Sequence, residues 1–109
     1  MNDTTADLET EVRRLRVRII GLTPTQLTRP GEGATVPRRQ AIAEALAELS
    51  SIGSDGRAVP DIGDQSLADQ VVVLIETGMR RAHALESAEG EQILTRLLEA
   101  AVDLRRRLA

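Results

Sequence analysis

Between Ser66 and Leu85 the chain reads SLADQVVVLIETGMRRAHAL, with Val71-Val72-Val73-Leu74-Ile75 as its longest unbroken apolar run. Five apolar residues in a row fit either a buried strand or a helix, and the flanks must arbitrate. Ser66 can cap a helix, with Asp69 three positions on. Asp64 and Asp69 suit the positive end of a helix dipole, and Arg80 and Arg81 suit the other end. A helix over 66–86 puts Leu67, Val71, Leu74, Gly78, Ala82 and Leu85 on one stripe, and Gly78 there allows a neighbouring helix to approach closely.

That stripe leaves Val72 and Val73 pointing elsewhere. Each residue turns the helix by about 100°, so the apolar run wraps the whole circumference. Val72 aligns with Glu76, Met79 and His83; Val73 aligns with Arg80. Either a long loop or a second chain must cover such a helix. Val72, Val73, Glu76, Met79, Arg80 and His83 are therefore the expected partner-contact residues.

Three further helices are readable. Leu8, Val12, Leu15, Ile19 and Leu22 alternate four and three apart, giving a helix over 5–21, with residues 1–4 as a frayed end and Thr4 or Thr5 as cap. Val17 and Ile20 widen that seam. Thr23-Pro24 is a cap followed by proline at the first helical position and opens a short turn. The alanine-rich stretch 37–51 buries Ala41, Ile42, Ala45, Leu46 and Leu49. After an irregular loop over 52–65, in which Val59 and Ile62 tuck inward, and the central helix, a last helix over 88–108 carries Ile93, Leu94, Leu97, Leu98, Ala101, Leu104 and Leu108. Ser87 can cap it, with Glu86 to Gly90 as the link; the alternative is a single helix continuing through Gly90 from Ser66 to Leu108, and two helices are preferred because so long a helix is rare in a small domain. Four such helices in 109 residues predict an all-α fold, an antiparallel up-down four-helix bundle in a single domain over 1–109.

The chain has no Phe, Tyr or Trp. Its core must be aliphatic, which permits close helix packing but buries less surface per residue. All 14 basic residues are arginine, and the net charge is −3. That charge disfavours general affinity for nucleic acid or anionic membranes. Without cysteine there is no thiol nucleophile, thiolate metal site or disulfide. No apolar run reaches the ~18 residues of a membrane span, and the polar N-terminus is unlike a signal peptide. The expected location is cytoplasmic.

Candidate chemistry is sparse. His83, the single histidine, has Arg80 rather than glutamate three positions earlier, so it lacks the Glu-x-x-His pattern of bundle metal sites. Asp61, Asp64 and Asp69 lack the spacing of a calcium loop and fit capping and turn roles. Gly63-Asp64-Gln65-Ser66-Leu67 resembles the Gly-x-Asp-Ser-Leu attachment site of acyl carrier proteins, which implies a phosphopantetheine-bearing Ser66; Gln65 departs from that pattern, and a plain capping serine explains the same residues. Leu22 to Leu27 is similar to a helix opening in winged-helix repressors, and Gln40 to Leu46 to the first helix of a helix-turn-helix. Gly53, Gly56 and Pro60 then stand where the recognition helix belongs. Arg13, Arg14, Arg16 and Arg18 could meet phosphates, though Glu9 and Glu11 interleave with them.

The expected function is a small non-catalytic helical subunit or adaptor, working through helix–helix contact with a protein partner or as a homo-oligomer. No catalytic, metal or cofactor residues are assigned, and no small-molecule substrate is evident. An accessory subunit of an enzyme complex fits this description. The alternative is a transcriptional or nucleic-acid-associated regulator using the arginine clusters.

Overall fold

The computed structural model describes residues 3–109, and all statements below concern those residues; Met1 and Asn2 of the expected frayed end lie outside them. The fold is all-α, with helices α1 (Asp3–Ile20), α2 (Pro24–Leu27), α3 (Arg38–Gly53), α4 (Leu67–His83) and α5 (Ser87–Arg107), and a 3-10 turn at Asp64–Ser66. The four long helices match the four read from the sequence. α4 and α5 are separate helices joined by three residues.

Local chemistry explains the boundaries, with some corrections. Thr23 caps α2 in a reciprocal box: its hydroxyl accepts from the Gln26 N–H while the Gln26 side chain accepts from the Thr23 N–H, and Pro24 follows at the first position. Thr4 and Thr5, expected as caps, already lie inside α1, which begins at Asp3. Ser66 makes no side-chain cap. The 3-10 turn before it has already started the winding, so Ser66 has helical rather than extended backbone angles. Ser87 is the first residue of α5 instead of its cap, and Gly90 sits in that helix's first turn. There its missing side chain matters, because a Cβ would run into the Ala82 carbonyl oxygen of α4.

The buried side chains form one contiguous aliphatic cluster. Leu8, Leu15 and Ile19 come from α1; Ile42, Leu46 and Leu49 from α3; Leu94, Leu97 and Leu104 from α5. α4 is rotated slightly from the expected stripe. Ala68 and Ile75 are buried beside Leu67, Val71, Gly78 and Ala82, whereas Leu74 is half-buried and Leu85 is exposed. Val17 and Ile20 do not widen the α1 seam but stand in solvent, 73% and 65% exposed.

The connectivity departs from simple up-down alternation. α1 packs on α4 and α5, and α3 packs on the same two helices, so α1 and α3 occupy opposite corners. α4 and α5 form an antiparallel hairpin, with Gly78 against Leu97 near its middle and Ala82 against Gly90 at its linked end. α3 and α4 run in the same direction. Arg39 at the start of α3 pairs with Asp64 just before α4 at 2.7 Å, while Gly53 at the end of α3 meets Gly78. A parallel pair needs a return path. α3 has 16 residues and is about 24 Å long; the ten residues between Gly53 and Asp64 span up to ~33 Å when extended.

Two fastenings set that return strap. Asp55 (φ 58) and Gly56 (φ 71) adopt successive left-handed conformations that reverse the chain after α3. Ser50, almost fully buried, donates its hydroxyl to the Arg57 carbonyl at 2.5 Å and accepts at its own carbonyl from Ser54 and Gly56. Val59 packs against the core as expected, but Ile62 does not tuck in; it is 55% exposed.

The ends of the bundle are tied by arginines. Arg18 and Arg38 both donate to the Leu108 carbonyl, and Arg38 also reaches the carbonyls of Gln26 and Ala109. These cations meet the negative end of the α5 dipole. Glu11, 5% exposed, receives Arg105 at 2.7 Å and locks α1 to α5.

Candidate functional site

Five of the six expected contact residues line two grooves beside α4, and one of them, Met79, also packs against the core. Glu76, Met79, Arg80 and His83 line a groove of about 550 Å³ between α4 and α1, opposite Thr5, Glu9, Val12 and Arg13. Val73 lies on the ridge beyond Arg80 and forms the edge of a second groove of about 550 Å³, between α4 and the return strap, with Ile62, Val59 and Leu74. Val72 is half-buried and lines neither groove. Val73 and Ile62 are each 55% exposed, so the strap borders the ridge without covering it. Of the two valines the α4 helix was expected to leave uncovered, Val73 is open and Val72 is partly sheltered.

The antiparallel packing of α1 on α4 fixes what stands beside what. Glu9 and Arg13 lie next to Met79, Arg80 and Glu76, while Ile19 and Ile20 lie next to Leu67 and Ala68. Helical periodicity then continues the open face along α1 through Glu9, Arg13, Arg16, Val17 and Ile20. All five are exposed. The α1 half of this surface is not evident from the sequence, because neither the partner helix nor its direction is encoded in the periodicity of α1. The visible signal was the off-seam position of Val17 and Ile20.

Four acids away from this face are paired with arginines: Asp64 with Arg39, Glu44 with Arg107 at 2.6 Å, Asp55 with Arg81 at 2.6 Å, and Glu11 with Arg105. The hydrogen bond from Arg39 holds the Asp64 carboxyl below its usual range. Hydrogen bonds from Arg107 and Gln40 do the same for Glu44. The guanidinium groups of Arg39 and Arg105 are correspondingly raised by the carboxylates they bond. On the α1–α4 face, no ion pair joins Glu9, Arg13, Arg16, Glu76 or Arg80 to another described residue. Arg13 and Arg80 make only long local contacts, to Thr10 at 3.4 Å and Thr77 at 3.3 Å.

Part of the arginine clusters is committed to the fold. Arg18, Arg105 and Arg107 have the partners described above, and Arg14 lies 3.6 Å from Glu11. After α3 no helix forms until Asp64, so the strap occupies the place a recognition helix would need. Among the described residues, no three acids, histidines or cysteines gather as a metal site, and no helix is long and apolar enough to cross a membrane. Comparison with protein-family models, curated proteins and solved structures finds no match.

Proposed function

We propose that this protein is a small helical subunit or adaptor that acts through protein–protein contact on the outer face of α4, without chemistry of its own. One observation carries the reading: Val73 and Ile62, both 55% exposed, line the same open groove between α4 and the return strap. Exposed aliphatic side chains in a groove of this size are a surface that gains free energy when a partner excludes water. A helix lying along such a ridge is the simplest partner geometry.

The nucleic-acid reading is weaker. It needs free guanidinium groups to neutralise phosphates, and of the clustered arginines Arg18, Arg105 and Arg107 hold the bundle together instead.

Val73→Glu tests the proposal. It places a charge on the ridge at a position with room for it. Static light scattering with refractive-index detection, which needs no aromatic absorbance, measures the mass of the wild type and the variant. The expected result is a wild-type mass above that of one chain, or a defined complex with a protein partner, and its loss in Val73→Glu with far-UV circular dichroism unchanged. A variant that unfolds would show that the ridge is interior, and the proposal would be wrong. It would be equally wrong if wild type and variant behave identically.

A further inference from the structure

We infer that the partner for the α1–α4 face is a second copy of this chain, with α1 of each copy lying over α4 of the other. This deepens the contact reading above and rests on it.

The argument is charge complementarity set by register. α1 and α4 run antiparallel, so Glu9 lies level with Arg80 and Arg13 level with Glu76. Along α1 these charges read minus, plus. At the matching heights along α4 they read plus, minus. A two-fold axis in the plane of the face and parallel to the helices swaps α1 with α4 while preserving height. It therefore brings Glu9 to Arg80 and Arg13 to Glu76 of the other copy, each pair formed twice. These four side chains are exposed and form no ion pair with another described residue.

The apolar part of the face agrees. Two exposed aliphatic side chains flank the charged rows and lose water on association: Val73 on the α4 ridge, and Ile20 at the end of α1 beside Ala68. The size is adequate for reversible association. α1 and α4 have 18 and 17 residues, and are about 26 Å long. Two helices side by side cover about 500 Å² per copy, or about 1,000 Å² in total, the lower bound for a specific interface.

The test uses two single charge reversals and their mixture. In a dimer of Glu9→Arg, Arg80 meets arginine twice; in a dimer of Arg80→Glu, Glu9 meets glutamate twice. Each should dissociate at least about tenfold more readily than wild type. A mixture of the two variants forms only one arrangement free of repulsion, the mixed dimer, in which every arginine again faces a glutamate. Sedimentation velocity over a concentration series should show wild-type dimer, each variant alone shifted to monomer, and dimer restored on mixing. Circular dichroism of each variant confirms the fold, since both sites are exposed. If the wild type dimerises but the reversals leave it unchanged, this arrangement is overturned and the broader contact reading stands. If the wild type is a single chain at every concentration, the second copy is overturned as the partner. The broader reading is then judged by the Val73→Glu comparison with a different protein.

Discussion

Replacing Gly53 with alanine separates backbone contact from helix propensity. By propensity alone, alanine should stabilise a helix by up to ~1 kcal/mol relative to glycine, and the same expectation holds at Gly78. The packing predicts different outcomes. A Cβ on Gly53 would lie 2.6 Å from the Cα of Gly78, which is backbone and cannot swing away. To reach ordinary contact at 3.4 Å, α4 must retreat by about 0.8 Å along a helix whose other side is packed on α5. Overpacking of this kind typically costs ~1–3 kcal/mol. Gly53 is the last residue of α3, so little of the propensity gain is recovered, and the net loss should be ~1–2 kcal/mol.

A Cβ on Gly78 has an easier neighbour. It would meet the Leu97 methyl groups at 2.8 and 3.1 Å and the Gly53 Cα at an ordinary 3.5 Å. Side-chain ends can rotate, so strain and propensity should nearly cancel, within ~1 kcal/mol of wild type. Urea denaturation followed by far-UV circular dichroism gives both values. In a domain of this size 1 kcal/mol corresponds to about 4–8 °C in Tm. The double variant should be non-additive, because the two sites touch. If both single variants are stabilised by ~1 kcal/mol and add, then α3 and α4 do not meet at these glycines and the parallel pairing is wrong.

Three further outcomes follow from the same packing. Ile75→Ala should cost ~2–5 kcal/mol as a buried cavity, and half-buried Leu74→Ala clearly less; equal urea midpoints for the two would contradict the observed rotation of α4. Glu11→Ala leaves Arg105 without its carboxylate at the α1–α5 seam and should cost ~1–3 kcal/mol, with Glu11→Gln intermediate, by thermal unfolding. Asp64 and Glu44 titrate below their ordinary range when folded, so each contributes stability above its unfolded pKa that is lost as pH falls through the folded one. The urea midpoint should therefore fall on acidification below about pH 4, and Arg39→Gln combined with Arg107→Gln should flatten that slope.

The elements were legible because apolar spacing in this chain is regular. In α3 the expected apolar side, Ala41, Ile42, Ala45, Leu46 and Leu49, is the buried one. Gly78 could be read as a close-approach site because a glycine within an otherwise good helix has few other uses. Its counterpart Gly53 was not legible: at the edge of a loop it looked like a turn residue. The caps failed for a related reason. Serine before an apolar run signals an N-cap only if the chain arrives extended, and at Ser66 a 3-10 turn has already begun. Ion pairs followed tertiary neighbours over local spacing. Arg107 chose Glu44 of α3 over Asp103 one turn away, because α3 lies alongside and its acid needed a partner.

Helix direction was beyond reach for a more general reason. Periodicity along one helix says which side is buried, not which way its neighbour runs. The strap over 54–63 has turn residues that fit a hairpin loop as well as a return path. What decides is that Asp64 must reach Arg39 while Gly53 reaches Gly78, and only a parallel α3–α4 pair does both. This choice determines the candidate site. With α3 parallel to α4 and diagonal to α1, the strap runs along the α3 side of α4, and an open groove remains on each side of the α4 ridge. The surplus apolar character of Val71 to Ile75 is thus divided by topology. Val71 and Ile75 go to the core, Leu74 goes to the strap, Val72 is half-buried, and Val73 is left for whatever binds outside.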